Sequence, residues 1–90
     1  MRSVVLKSQF RRDFSRWIEG TPLESELRDV MEHIVLGDPL DPRHRNHPLR
    51  GNWQGCRDCH VRGDIVLIYS LPPGLAVFHR VGSHSELFRR

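Results

Sequence analysis

The sequence predicts an α+β fold in which two N-terminal helices pack on one face of a small, mostly antiparallel sheet. Three observations carry the prediction. Residues 8–36 hold two stretches whose apolar side chains recur every three or four positions, the period of a helix. Residues 54–80 hold three apolar or β-branched runs separated by turn residues. The resulting order of strand, helix, helix and three strands puts helices on one sheet face and leaves the other as surface.

Val4-Val5-Leu6 is a short β-type run and the expected first strand. Ser8 can cap the helix that follows, in which Phe10, Phe14, Trp17 and Ile18 form one apolar stripe and Gly20 supplies the left-handed stop. Thr21-Pro22-Leu23-Glu24 reads as a second helix start, with Thr21 as N-cap, Pro22 at the first helical position and Glu24 completing a capping box. Leu23, Leu27, Val30, Met31 and Ile34 carry this stripe on to Leu36, and Gly37 ends it. Residues 38–52 show neither period, and three X-Pro pairs there favour extended backbone. A loop of that length in so small a chain is usually functional or mobile, and Trp53 at its end needs a place to pack. The strands are then expected at residues 54–61, 65–71 and 75–80, the middle one nearly all apolar and so central and buried on both faces. Ser83-His84-Ser85-Glu86 is a further capping-box pattern, opening a short helix or turn through Phe88.

Ninety residues make one domain, residues 1–90, with a modest core. No run of apolar residues is long enough to span a membrane, and the run at the N-terminus is too short for a signal peptide, so the expected location is the cytoplasm. The two cysteines are then reduced thiols. The formal net charge is only +3, but it is segregated. Residues 1–18 carry five basic groups against Asp13, residues 19–42 seven carboxylates against Arg28, and residues 43–90 eight arginines against three carboxylates. Thirteen of the fourteen basic residues are Arg, whose planar fork suits phosphate. This favours a polyanion partner on the basic side.

The basic segment 47–64 concentrates the side chains that do proton chemistry. On a strand, Cys56, Asp58 and His60 share a face, and Asp58 can orient or charge the His60 imidazole. His47 lies on the loop leading in, Asp64 at the following turn, and His84 after the last strand; an antiparallel sheet could bring them to one edge. RNA cleavage by 2′-OH attack needs a base, an acid and a cation for the phosphate. His47, His60 and His84 with Asp64 and Arg80 would supply them, and Phe88 could stack on a base. Cys56-Arg57-Asp58-Cys59-His60 also fits a c-type haem attachment motif, but that chemistry needs export. The same strand would put the two cysteine Cα atoms about 10 Å apart on opposite faces. That excludes a disulfide and disfavours a shared zinc, so no metal or other cofactor is expected.

These residues resemble a known family. His47-Pro48-Leu49, Gly51, Trp53, Gly55, Arg57-Asp58, His60-Val61, Asp64, Leu67-Ile68-Tyr69, Arg80, Gly82, His84 and Leu87-Phe88 are similar in type and spacing to the YafQ-like branch of the RelE toxin superfamily, densely over residues 47–88. The resemblance implies a microbial-ribonuclease-like (RelE-like) fold and the toxin of a type II toxin–antitoxin system, a ribosome-dependent endoribonuclease that cleaves mRNA in the decoding site without a metal. It implies catalytic roles for His47, His60, Asp64 and His84. Asp58, Arg80 and Phe88 become supporting positions, with Arg57 and Arg50 as candidate RNA contacts. His60 or His47 is favoured as base and His84 as acid. It further implies a cognate DNA-binding antitoxin, through which alone the toxin would reach operator DNA. Ile65 departs from the pattern where relatives can carry an aromatic, and His33, His44 and His79 match no catalytic position. Arg89-Arg90 could contact RNA. The competing readings are a non-catalytic RNA- or protein-binding module and, less favoured, a Cys/His metal-binding domain.

Overall fold

The computed structural model describes residues 1–88. Its elements are β1 (Ser3–Leu6), α1 (Ser8–Asp13), α2 (Leu23–Leu36), β2 (His47–Pro48), β3 (Arg57–Arg62), β4 (Ile65–Ser70), β5 (Leu75–Ser83) and α3 (His84–Leu87). The sheet order is β1-β5-β4-β3-β2. Only the β1–β5 pair is parallel; the rest is antiparallel. The α+β class holds, with α1 and α2 on one face of a mostly antiparallel sheet whose central strand is the apolar run Ile65–Ser70.

Side-chain alternation divides the sheet into two layers. On the helical side, Cys59, Val61, Leu67, Tyr69, Phe78 and Val81 pack against Phe10, Ile18, Leu27, Val30 and Ile34. On the other side Val66, Ile68 and Leu87 form a smaller apolar floor with Leu49, Trp53, Cys56 and Phe88. The long loop and α3 both fold onto that floor, so the second face is partly covered. The site lies over it.

Several local expectations are corrected. Lys7 rather than Ser8 precedes α1, and no side chain caps that helix. The first helix continues as a π-turn over Phe14–Ile18, closed by the Glu19 amide donating to the Phe14 carbonyl at 2.8 Å. The wider turn rotates the stripe: Phe10 and Ile18 are buried, while Trp17 is exposed beneath the Arg16 guanidinium, 4.8 Å from its ring. α2 begins at Leu23, after Pro22. Thr21 Oγ1 accepts from the Leu23 amide, and the Glu24 carboxylate reaches back to the Gly20 amide, one residue beyond the expected box. Leu36 falls off the α2 stripe and is exposed. β3 begins at Arg57, and β5 runs on to Ser83 through an irregularity after Phe78. His47–Pro48, expected as loop, is a short edge strand on β3. Ser83 does cap α3, its hydroxyl accepting from the Glu86 amide at 3.2 Å.

Candidate active site

Register assembles the site. His47 pairs with Asp58, Asp58 with Ile68, and Ile68 with Arg80, so four strands set these residues in one row across the sheet. The neighbouring row runs His60, Val66, Gly82. Asp58 and His60, two positions apart on β3, point to the same face as Val66 and Ile68. His84 follows β5 directly. Its amide donates to the Asp64 carbonyl at 2.9 Å, which ties the start of α3 to the β3–β4 turn.

Asp58 is the centre. It is 2 % exposed, and its Oδ1 accepts no hydrogen bond. His47 Nδ1 lies 3.1 Å from that oxygen, yet its hydrogen points instead to the Arg45 carbonyl at 2.6 Å. The contact is therefore one of charge and not a hydrogen bond. Burial raises the Asp58 carboxyl above the ordinary carboxylate range, while His47, His60 and His84, when protonated, pull it back down. All three imidazoles that the sequence singled out thus sense one carboxylate.

The rings are open to a ligand: His47 and His84 are exposed and His60 half-buried. A carbonyl can only accept, so the neutral His47 ring keeps its proton on Nδ1 and presents Nε2 as a lone pair. His60 Nδ1 makes only a long contact, 3.5 Å, with the Gly63 carbonyl. The His84 ring lies against Phe88 with centroids 4.8 Å apart, so Phe88 both orients an imidazole and presents an aromatic face at the rim.

The other expected residues fare differently. Asp64 is exposed on its turn and contributes its main chain to His84. Arg80 is in the row, but Asp13 grips its guanidinium, with Nε to Oδ2 at 2.6 Å and Nη2 to Oδ1 at 3.1 Å. Arg50 is exposed on the loop. Arg57 is not with the cluster: it shares the helical face with Cys59, and its Nε donates to Asn46 Oδ1. The same oxygen accepts from Tyr69 Oη at 2.7 Å. Arg89 and Arg90 lie outside the described residues. Cys59 sits in the helical-side core and Cys56 in the opposite cluster, as alternation requires. Among the described residues, no group of three or more His, Cys, Asp and Glu side chains is arranged to hold a metal ion.

Sequence reasoning missed the supports. His44, assigned no role, is buried and donates from Nδ1 to the His60 carbonyl at 2.6 Å, locking the loop onto β3. His79, also without a role, pairs with the Ser70 hydroxyl at 2.8 Å and meets Trp53 edge-on. Its imidazole is biased towards the neutral form by burial first and by Lys7 second. Asp13 had a legible signal, as a single carboxylate among Arg11, Arg12 and Arg16; His44 had none.

Comparison with known proteins bears on this arrangement. Residues 2–89 match the family model described as the bacterial toxin of type II toxin–antitoxin systems, YafQ. The mRNA interferase toxin YafQ of Escherichia coli is 48 % identical over 88 residues, covering 97 % of this chain and 96 % of that protein. The E. coli DinJ–YafQ complex contains a chain that superposes with a TM-score of 0.88 at 32 % identity, covering 98 % of this chain and 99 % of that one. A metal-bound toxin from Helicobacter pylori superposes with a TM-score of 0.87 at 31 % identity, covering 98 % and 100 %.

Proposed function

Because the chain belongs to the YafQ family of toxins of type II toxin–antitoxin systems, we propose that it is an endoribonuclease that cleaves mRNA on the ribosome by histidine acid–base chemistry. The observation that carries the reading is the convergence of His47, His60 and His84, drawn from an edge strand, an inner strand and a helix start, on the buried Asp58. A relative of the same family and near-full coverage is named as an mRNA interferase, which supports the same class of substrate.

The chemistry follows from the side chains. An imidazole accepts the proton of a 2′-OH, the 2′-oxygen attacks phosphorus in line, and the bond from phosphorus to the 5′-oxygen breaks as a second imidazole donates a proton to that oxygen. The products are a 2′,3′-cyclic phosphate and a 5′-hydroxyl. Imidazole suits both transfers because it titrates near working pH. His47, with Nε2 presented as a lone pair, is the candidate base, with His60 beside it; His84, held by the Asp64 carbonyl and Phe88, is the candidate acid. The Asp58 carboxylate, 3.1 Å from His47 Nδ1, attracts a positive charge on the imidazoles around it. The apolar floor excludes water beneath the phosphate and strengthens these charge interactions. Arg80, already aligned by Asp13, faces the phosphate as cation.

The cellular setting completes the proposal. No described helix is long and apolar enough to cross a membrane, and a substrate on the ribosome places the enzyme in the cytoplasm. A cognate antitoxin, by analogy with the partner of the E. coli relative, covers the basic face until it is removed.

Mapping mRNA 5′ ends on translating ribosomes tests the reading. The chain should generate new ends, and His84→Ala and His60→Ala should abolish them and relieve growth arrest while keeping the wild-type circular dichroism spectrum. Full toxicity in both variants would refute the acid–base assignment.

A further inference from the structure

β2 is only two residues long and pairs with β3 no further than Asp58. The outer edge of β3 beyond that point is bordered instead by a cleft of about 540 Å³. Glu26 of α2, Arg43 and Arg45 of the loop, and the segment His60–Gly63 line it. Three guanidiniums face one carboxylate, and that carboxylate is already committed: Glu26 Oε1 holds Arg62 Nη2 at 2.8 Å. The side chains of Arg43 and Arg45 are exposed and have no partner among the described residues.

These two arginines are not carried on a loose loop. They flank His44, the buried residue whose ring donates to the His60 carbonyl at 2.6 Å. Asp41 caps the single turn Pro42–His44 by accepting from the Arg43 amide at 2.9 Å, and Arg45 turns the chain in the left-handed region at φ 48°. The turn therefore presents both guanidiniums from a backbone fixed to the residue that also faces the cleavage site. His60 lines the cleft, so a polyanion leaving the imidazole cluster on that side runs directly between Arg43, Arg45 and Arg62.

We propose that this cleft is a phosphate track for the RNA strand flanking the cleaved bond, with Arg43 and Arg45 as its contacts and the Glu26–Arg62 pair as its floor. The assignment rests on the reading of the chain as an RNA-cleaving enzyme for the identity of its polyanion. Arginine–phosphate contacts release condensed counterions, so each one adds about 0.7 to the slope of log affinity against log salt for single-stranded nucleic acid. The track contributes to binding and not to proton transfer.

The probe is a uniformly 2′-O-methyl RNA dodecamer, which cannot be cleaved, titrated with the full chain at several salt concentrations. Arg43→Gln with Arg45→Gln removes both charges with polar, unbranched side chains and leaves the backbone strain at residue 45 nearly unchanged. The pair should lower the slope by about 1.4, with the rate of cleavage at saturating ribosome-bound mRNA retained and the KM raised. Glu26→Gln, which releases Arg62, should steepen the slope. His84→Ala should leave the slope as in wild type. No measurable binding by wild type, or an unchanged slope in the double variant, overturns the track while leaving His84-dependent cleavage as separate support for the function. Loss of affinity for the antitoxin with an unchanged RNA slope overturns it too, in favour of a protein contact.

Discussion

Asp58 shows how a residue placed at the centre of a candidate site can cost stability. Its carboxyl is buried beneath three imidazoles with one oxygen unsatisfied, which is an expensive place for a charge. An unfolded Asp titrates at about pH 3.9. The folded carboxyl holds its proton to higher pH, so above the ordinary value the native state binds more protons than the unfolded one. Stability is therefore lost as pH rises through that interval, and the loss is complete above the raised value. Asn at this position cannot titrate. Melting temperatures of wild type and Asp58→Asn, measured in parallel from acid to neutral pH, should show the variant gaining on wild type as pH rises. A variant that instead loses ground to wild type as pH rises would contradict the burial assigned to the carboxyl. Asp13 makes the opposite case, since its oxygens accept from Arg80, from the Val81 amide at 3.1 Å and from Gln9. Asp13→Ala removes these acceptors and strands a buried amide beside a partly exposed guanidinium, so urea unfolding should show a loss of about 1–3 kcal/mol. Cys59, fully buried, has its thiol pushed up to about 12 by burial first and by Asp58 second. It should resist alkylation in the native protein at pH 8 and react only on unfolding, as mass spectrometry would register.

The helices and the three long strands were legible because burial leaves a pattern in the sequence: a stripe on each helix, alternation on β3, and an unbroken apolar run on β4, which is buried on both faces. The loop from residue 38 to 56 left no such trace, although it carries His47 and much of the cover on the second sheet face. Its order comes from single long-range bonds: His44 to the His60 carbonyl, Tyr69 and Arg57 to Asn46, and Trp53 against His79. None of these has a local pattern, and the edge strand at His47–Pro48 is too short to have one. The π-turn escaped for a related reason, because it breaks the period by which a helix is read. The candidate site was legible in its residue types and in the face shared by Asp58 and His60; its convergence needed the register of four strands. If the loop is held by those bonds, His44→Ala should cost about 1–3 kcal/mol. It should also slow cleavage on the order of 10–100-fold by freeing His47, with the circular dichroism spectrum unchanged. Hydrogen exchange should rise selectively across residues 43–56. Uniform protection in that variant would mean that the loop is positioned by its contacts with the apolar floor alone.

At the scale of the molecule, the outward face of α2 is mostly acidic, while the imidazole cluster and the β3 edge beside it carry basic groups. The helical layer buries the main core and turns the carboxylates of α2 outward, with Asp29 and Glu32 exposed. The other face gathers the imidazoles, and Arg43 and Arg45 stand beside them at the β3 edge. Such a separation orients the chain in the field of a polyanion before contact: the acidic face is repelled while the site face is drawn in. If it does so here, the acidic side of α2 should oppose unproductive docking through the wrong side. Asp29→Asn with Glu32→Gln removes two of these charges without touching the core or the imidazole cluster; Asp29 borders a cavity that Arg43 also lines, so Glu32→Gln alone is run beside the pair. Retention of unrelated single-stranded RNA should then rise, as the net positive charge grows, while the rate of cleavage on saturated ribosomes stays that of wild type. The gain in retention should shrink as ionic strength increases and the Debye length falls below about 10 Å. Filter binding to a non-substrate RNA at low and at high salt, run beside the 5′-end mapping, separates the two faces. If the double variant cleaves more slowly at saturation while its RNA retention is unchanged, the acidic face acts on the site itself and the orienting role is wrong.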